Sequence, residues 1–182
     1  GDGWVVTDKS GTKYTFGSIA SARQDDPSDD DRVYKWMLQE VRDLNGNFVT
    51  YTYYKNGGQM YPLLATYTGN GVTDGIFTVV FNRTPATNIV RTESPAFEIA
   101  SSDLISEIVV SVSGVEVRTY DIGYILGHNG NRALLGSITE SGTTGGVTTT
   151  LPVTEFEYQV AGDEWILDPD WQMPIKGENT VS

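Results

Sequence analysis

The feature that most constrains this chain is the frequent recurrence of turn signals between short strand-like runs. Clusters such as "DKSG", "LNGN" and "VSG" interrupt the chain at short intervals, as hairpin turns do. The runs between them are rich in Val, Ile, Thr, Tyr and Phe, whose side chains suit a pleated surface. The runs predicted as strands are 4–7, 12–17, 34–43, 47–54, 75–83, 103–112, 115–124, 132–140 and 153–160. We therefore predict an all-β fold in which antiparallel hairpins form an extended or sandwich-like sheet.

Segment 34–43 fits two patterns. A helix would align Val33, Trp36, Met37, Glu40 and Val41, whereas a strand would alternate Tyr34, Trp36 and Leu38. The dipeptide Asn45-Gly46 follows directly and tolerates the positive φ angles of a two-residue hairpin turn. This turn favours the strand. The glycine- and threonine-rich segment 141–150 is predicted to be a flexible hairpin loop, because it lacks the Lys and the following helix of a phosphate-binding loop.

Composition and charge exclude several classes of function. The chain has 182 residues and a formal net charge of −12, which disfavours nucleic acid and anionic membrane as partners. It has no cysteine, so disulfides, Cys-ligated zinc and a thiol nucleophile are excluded. No apolar run approaches the ~18 residues of a transmembrane helix, and no signal peptide opens the sequence. We expect an excised piece of a longer protein, with no membrane insertion by this fragment.

Five acidic residues form the candidate metal site. Calcium takes several oxygen ligands, and the stretch "DDPSDDDR" offers many carboxylates. Its spacing is not that of an EF-hand and it lacks the turning glycine, so a solvated acidic loop is the simpler interpretation. A second small candidate, "DLNGN" at 43–47, is explained as a hairpin turn. The weak calcium candidates are Asp25, Asp26, Asp29, Asp30 and Asp31.

Catalytic patterns are not convincing in this sequence. His128 is the only histidine, and no Gly-x-Ser-x-Gly motif accompanies it. Glu155 and Glu157 would share one face of a strand, where paired charges are usually solvated. We predict no catalytic residue, no cofactor and no enzyme. The tryptophans could form a sugar-stacking platform, but burial between strands or, for Trp165 and Trp171, against the next domain is the simpler interpretation. Trp165 and Trp171 are the binding candidates.

Several blocks of the sequence carry a family resemblance. The stretch "DLNGNFVTYTY" resembles the YD-repeat units of RHS proteins. The blocks "WVVTDKSGTKYTFG", "YKWMLQEVRDLNGN", "YPLLATYTGN", "VRTYDIGY", "LLGSITESG" and "LPVTEFEY", in this order, resemble the SpvB-type N-terminal region. That region is shared by Salmonella-type virulence proteins, by the B component of insecticidal Tc toxin complexes and by many large bacterial RHS-like proteins.

The resemblance implies an architectural role. In Tc toxin B components this kind of sequence helps to build a hollow β-sheet shell around a cargo polypeptide. It implies a non-catalytic structural module of a large secreted or surface protein, with the RHS core, a propeller and an enclosed cargo or toxin segment as partners. A carbohydrate- or receptor-binding module that uses exposed aromatic residues is the alternative. Residues 1–160 would form the β domain, and 161–182 a linker toward an absent downstream domain.

Overall fold

A long antiparallel sheet makes up most of the structure. The computed structural model of the chain describes residues 3–127 and 132–159. The strands are β1 (Trp4–Thr7), β2 (Lys13–Phe16), β3 (Arg23–Asp26), β4 (Asp29–Trp36), β5 (Leu38–Arg42), β6 (Asn47–Asn56), β7 (Gln59–Asn70), β8 (Phe77–Thr92), β9 (Ile99–Val112), β10 (Val115–Leu126), β11 (Ala133–Thr144), β12 (Val147–Thr150) and β13 (Thr154–Glu155). Ten strands of the 11-stranded sheet lie in the order β1-β2-β5-β6-β7-β8-β9-β10-β11-β12, and the eleventh, β13, pairs with β11. Strands β3 and β4 form a separate two-stranded sheet.

The all-β prediction is confirmed, and the sheet is of the extended kind. Consecutive strands pair as hairpins, so the order in the sheet largely follows the order in the chain. Helical structure in the described residues is limited to one 3₁₀ turn at Ala20–Ala22. The described part of the chain therefore contains no helix of the length and apolar character needed to cross a membrane. The predicted boundary at residue 160 remains a prediction, because residues 160–182 lie outside the described ranges.

Segment 34–43 is extended, as the turn signal indicated, but it contributes to two strands instead of one. β4 ends at Trp36 and β5 begins at Leu38. Between them, the carbonyl of Met37 accepts a hydrogen bond from Gly17 N at 2.9 Å, and the amide of Met37 donates to Ala22 O at 2.8 Å. These bonds redirect the chain from the small β3-β4 sheet into the long sheet.

Two predicted turns differ in form. Ser113 and Gly114, both with positive φ, make a two-residue turn between β9 and β10. The turn between β5 and β6 is longer than the predicted two-residue turn, because Asp43 N donates to Asn47 O and Gly46 N donates to Asp43 O. The Asp43 carboxylate accepts from the amides of Asn45 and Asn47, each at 2.8 Å. An acidic side chain therefore organises the turn together with Gly46.

Other segments differ from the predictions. The acidic stretch 25–32 is not a solvated loop but lies largely in the β3-β4 hairpin. Segment 141–150 is a hairpin, as predicted, but it is built from the end of β11 and from β12, not from a flexible loop. The last predicted strand shrinks to Thr154–Glu155. β7 was not predicted as a strand at all, although its residues carry part of the family resemblance.

A row of single-residue bulges crosses the long sheet. On β5, β7, β9 and β11 one extra residue stands opposite the preceding strand of the sheet, and the pairings place each bulge next to the following one across the sheet. A bulge bends its strand and increases the local twist. A row of bulges at one level therefore bends the sheet along a line across its strands. The extra residues of this bulge row are Gln39, Leu63, Ser106 and Gly136.

A side chain from later in the sequence supports each bulge; three of these side chains lie on the next strand of the sheet, and the fourth, Tyr158, follows β13. The carbonyl of the residue before each extra residue accepts a side-chain hydrogen bond. Leu38 O accepts from the Tyr53 hydroxyl at 2.6 Å, and Ile105 O accepts from the Tyr124 hydroxyl at 2.8 Å. The other two pairs are Leu135 O with the Tyr158 hydroxyl at 2.8 Å and Pro62 O with Arg83 Nη1 at 3.3 Å. Unequally spaced hairpins thus share one bonding pattern.

Most of the buried apolar side chains lie at one corner of the molecule. Among the described residues no large side chain is completely buried. Met60, Tyr61, Ile99 and Ala100 are buried where the tip of the β6-β7 hairpin meets the beginning of β9. Ala100 N donates to Gly57 O at 2.7 Å, and the Tyr61 hydroxyl accepts from Ser102 N at 2.9 Å. Elsewhere most of the sheet is a single layer.

Candidate functional site

The strand register gathers apolar side chains on one face of the long sheet. Residues directly opposite each other in antiparallel strands share a face. Val79 on β8 pairs with Ala65 on β7 and Val110 on β9, and Tyr51 on β6 pairs with Ala65. Following these pairings defines what we call the apolar face: Val6, Tyr14, Val41, Val49, Tyr51, Ala65, Tyr67, Phe77, Val79, Phe81, Ile108, Val110, Val112, Tyr120, Ile122 and Ile138.

The opposite face is mainly polar. A row of hydroxyl side chains runs across four strands through paired residues, and a second row carries amide, carboxylate and hydroxyl groups. Leu64, Val80 and Val109 form a short apolar row between them. The polar face is defined by Thr50, Thr66, Thr78, Ser111, Asn82, Glu107, Asp121, Thr139, Thr119 and Ser141.

Both faces remain open in the described structure. Residues in the middle of the apolar face, such as Val79 and Val110, are half-buried between their neighbours in the sheet. Tyr67 stacks on Phe77 with ring centroids 5.1 Å apart, which is a contact within the face. In the described ranges most contacts of the long sheet are those between adjacent strands, with fewer between β6 and the 3₁₀ turn, between β6 and β9, and between β8 and β11. An apolar face of this extent typically marks an interaction surface.

A shallow groove interrupts the apolar face near β12. Its charged members are Arg118 and Glu140, whose Nε and Oε1 atoms are 3.2 Å apart. Arg118 Nη1 also donates to the Tyr120 hydroxyl at 3.3 Å. The groove has a volume of about 450 Å³ and is lined by Arg118, Glu140, Gly142, Thr144, Val147, Thr149 and Leu151.

The structure separates the five candidate calcium ligands. Asp25 and Asp26 are buried on β3, whereas Asp29, Asp30 and Asp31 are exposed on β4. The Asp26 carboxylate accepts from Ser28 N at 2.8 Å, and this bond is the main reason why the pKa of Asp26 is lowered. No group of three acidic or histidine side chains in the described residues is arranged to hold a metal. The calcium hypothesis stays a prediction.

The buried acid Asp25 has a different partner, which sequence reasoning missed. Lys55 Nζ donates to both carboxylate oxygens of Asp25, at 2.6 and 2.8 Å. Gln24, also buried, donates to Gly58 O at 2.8 Å, and Asn56 Nδ2 donates to Asp103 Oδ2 at 2.7 Å. These polar contacts, which we call the hairpin junction, attach β3 and β9 to the tip of the β6-β7 hairpin. Asp25 and Lys55 lie thirty residues apart, and no local pattern signals their pairing.

The remaining candidates find structural explanations or lie outside the described residues. Trp4 packs edge-to-face against Trp36, with ring centroids 6.0 Å apart. Glu155 and Glu157 are exposed. "DLNGN" forms the Asp43 turn. His128, Trp165 and Trp171 lie outside the described ranges, so their predicted roles stay predictions.

The comparisons with known proteins support the resemblance. The family described as Salmonella virulence plasmid 65kDa B protein, SpvB, matches residues 1–70. Structures named as TcdB2-TccC3-Cdc42 and as the Photorhabdus luminescens Tc holotoxin pore align with TM-scores of 0.72 and 0.71, at 16% and 17% identity, over 87% and 86% of this chain. The N-terminal domain of the effector SpvB from Salmonella typhimurium strain LT2 aligns with a TM-score of 0.55, at 16% identity, over 86% of this chain. No curated protein sequence gives a match.

These findings define the class of protein. The predicted resemblance to the SpvB-type region is confirmed, and the fold is shared with components of Tc toxins. In its fold, the chain is similar to a β module of Tc toxin components. It spans about one tenth of the two Tc toxin chains and 61% of the SpvB domain. Its structural relatives are thus longer chains, of which this fold is a part.

Proposed function

We propose that this chain is a non-catalytic wall module of a large secreted or surface bacterial protein, in which it contributes to a shell around a cargo or toxin segment. The observation that carries the proposal is the single-layer sheet, whose two faces lie open across several strands. An isolated globular domain would cover one face with a second layer. A wall has one face toward an interior space and the other toward the solvent.

The bulge row supports the same role. A flat sheet does not close around a volume, and bulges are the usual device for introducing curvature into a sheet. Here the bulges lie side by side, and Tyr53, Tyr124, Tyr158 and Arg83 each bond the carbonyl that precedes one of them. The shared fold with TcdB2-TccC3 adds to this support. Other domains of the same polypeptide, including an RHS core and a propeller after residue 160, would complete the shell.

Protease protection tests the proposal in the full-length polypeptide that carries this chain. We expect the cargo segment to resist added protease until denaturant unfolds the sheet. The loss of protection and the unfolding of the sheet should have the same denaturant midpoint. Lys55→Met, which breaks the ion pair with Asp25, should lower both midpoints together. Lys9→Met, at an exposed turn position, should leave both unchanged. Digestion of the cargo segment while the sheet remains folded would contradict the shell.

A binding module is the second candidate. The groove of about 450 Å³ near β12 combines apolar and hydroxyl side chains with the Arg118–Glu140 pair, a combination that suits a carbohydrate ligand. A glycan array with the isolated chain tests it. Binding that Glu140→Gln abolishes and Glu155→Gln preserves would favour this function. An array on which no glycan is bound would exclude the carbohydrate-binding function.

A further inference from the structure

The two faces of the sheet differ in chemistry, and this difference assigns a direction to the wall. Val79, Val110 and Phe81 represent a face with few charges, whereas Thr78 and Ser111 represent a face of hydroxyl and carboxylate groups. In antiparallel sheets with one buried and one solvated face, the apolar side chains lie on the buried face. A wall with its apolar face outward would expose a patch that promotes aggregation.

We infer that the apolar face lines the interior of the shell and contacts the enclosed polypeptide, while the polar face is the outer surface. This inference rests on the proposed function and adds to it the orientation of the wall and the chemistry of the contact. The alternation along β8 and β9 is sharp enough to test, because neighbouring residues such as Val110 and Ser111 lie on opposite faces.

The occupant that fits the apolar face is a segment of the same long polypeptide with exposed apolar side chains. The chain spans about one tenth of the Tc toxin chains that share its fold, so such proteins have ample sequence beyond this module. An unfolded segment exposes apolar groups, and their contact with the wall removes both surfaces from water, which is favourable in proportion to the apolar area buried. This attraction is non-directional, so it does not demand a particular cargo sequence.

Charge agrees with an apolar contact. Arg118 and Glu140, two charged residues that the register places on this face beside the apolar rows, pair with each other at 3.2 Å. On the polar face, Glu107 and Asp121 are directly opposite each other on β9 and β10. Like charges placed opposite each other are tolerated in high-dielectric solvent and are costly in an enclosed space. This pair therefore favours the polar face as the solvated side.

Single cysteines can measure the orientation, because the chain contains none. Val110→Cys and Ser111→Cys are matched substitutions on opposite faces of β9, and Val79→Cys and Thr78→Cys repeat the comparison on β8 should one variant fail to fold. Each would be made in the full-length polypeptide, with cysteines elsewhere replaced by serine. The probe is a maleimide carried on a long polyethylene glycol chain, and the isolated chain gives the unprotected labelling rate.

We expect Ser111→Cys and Thr78→Cys to label at nearly the rate of the isolated chain, and Val110→Cys and Val79→Cys to label at least about tenfold more slowly until the protein is unfolded. Protection of the two polar-face positions alone would overturn the orientation and leave the shell standing. Rapid labelling at all four positions would overturn both the shell and the orientation. Protection at all four would overturn the inference, because the polar face would then be covered.

A crosslinking experiment identifies the occupant. A photo-reactive amino acid at Val79 should crosslink to the enclosed segment, and the same group at Thr78 should not. The crosslinked peptides would be identified by mass spectrometry. Crosslinks from Val79 to another stretch of wall, without any to the enclosed segment, would overturn the assigned contact.

Discussion

The hydroxyl of Tyr124 on β10 donates a hydrogen bond to the carbonyl of Ile105 on β9 at 2.8 Å, next to the extra residue Ser106. The bond satisfies a carbonyl beside a bulge, where the regular ladder is disrupted. Tyr53 makes the same bond to Leu38 beside the extra residue Gln39. Tyr53 and Tyr124 therefore have a structural role: their hydroxyls support the bulges that bend the sheet.

Removing the Tyr124 hydroxyl should therefore destabilise the sheet measurably. Tyr124→Phe loses one partly buried hydrogen bond, and we expect it to lower the free energy of unfolding by about 1 kcal/mol. Urea denaturation followed by circular dichroism measures this change. Tyr51→Phe is the matched control, because no hydrogen bond of its hydroxyl is found in the described structure. An equal loss in both variants would contradict the role of the bond.

Alkaline pH should weaken the same bonds. Burial raises the pKa of Tyr124, and burial followed by the nearby Tyr51 raises the pKa of Tyr53. A folded-state pKa above the unfolded value gives stability that is present below about pH 10 and is lost as the pH rises through the folded-state pKa. Unfolding measured from pH 8 upward should show this decline. The decline in stability with pH should be shallower in the double variant Tyr53→Phe/Tyr124→Phe. An unchanged slope in that variant would contradict the role of these two tyrosines.

The strand-rich fold could be predicted because its signals are local. Ser113-Gly114 and the Asn45-Gly46 region lie between alternating runs, and both ends of each hairpin are close in sequence. The bulge row could not be predicted, because Gln39, Leu63, Ser106 and Gly136 share no residue type. An extra residue also reverses the alternation beyond it, which weakens the pattern on which strand prediction depends.

The faces and the hairpin junction required the structure for a different reason. Strand 47–54 alternates visibly, yet which of its faces joins an apolar surface depends on the register of strands that lie far along the chain. The Asp25–Lys55 pair likewise depends on the meeting of two separate hairpins. Composition correctly indicated an acidic cluster at 25–32 but could not indicate that Asp25 and Asp26 are buried while Asp29 is exposed.

Breaking the Asp25–Lys55 pair should loosen the β3-β4 hairpin. Lys55→Met leaves a carboxylate that is only 10% exposed without its charged partner, and we expect a loss of about 1–3 kcal/mol. The value falls below that for a fully buried pair because Lys55 itself is 37% exposed. Hydrogen exchange should increase at β3 and at the tip of the β6-β7 hairpin. Lys9→Met serves as the control. An increase in exchange that is no larger at β3 and at this hairpin tip than over the rest of the sheet would contradict a local role of the hairpin junction.

Acid should weaken the turn that Asp43 organises. The side-chain amide of Asn47 lowers the pKa of Asp43 most, and the backbone amides of Asn47, Asn45 and Gly46 add to the effect. A lowered folded-state pKa gives stability that is present above the unfolded value near pH 4 and is lost as the pH falls through the folded-state pKa. Asp43→Asn should lower stability at pH 7 and differ less from the parent at pH 3. Asp74→Asn, at an exposed position, should have the stability of the parent at both pH values. If Asp43→Asn were less stable than the parent by the same amount at pH 7 and pH 3, the link between the Asp43 pKa and stability would be refuted.

The close contact between the Phe48 ring and Gly69 leads to the last prediction. Phe48 is buried between the Arg42 guanidinium, 4.1 Å above its ring centroid, and the backbone of Gly69 on β7. A Cβ atom at position 69 would lie 2.4 Å from Phe48 Cζ, so the ring would have to leave its stack on Arg42. We expect Gly69→Ala to cost about 1–3 kcal/mol through overpacking.

Gly142→Ala is the matched control, because its Cβ would meet its nearest neighbour at an ordinary 3.8 Å. We expect that variant to retain the stability of the parent or to gain slightly, since alanine restricts the unfolded chain. Thermal unfolding of the two variants side by side measures the difference. If both variants lose stability equally, the loss reflects glycine in a strand generally and not the contact with Phe48. Since Phe48 lies on β6 beside the β5-β6 turn, a specific loss at Gly69 would show that packing of Phe48 on the polar side of the sheet stabilises the β6-β7 pair.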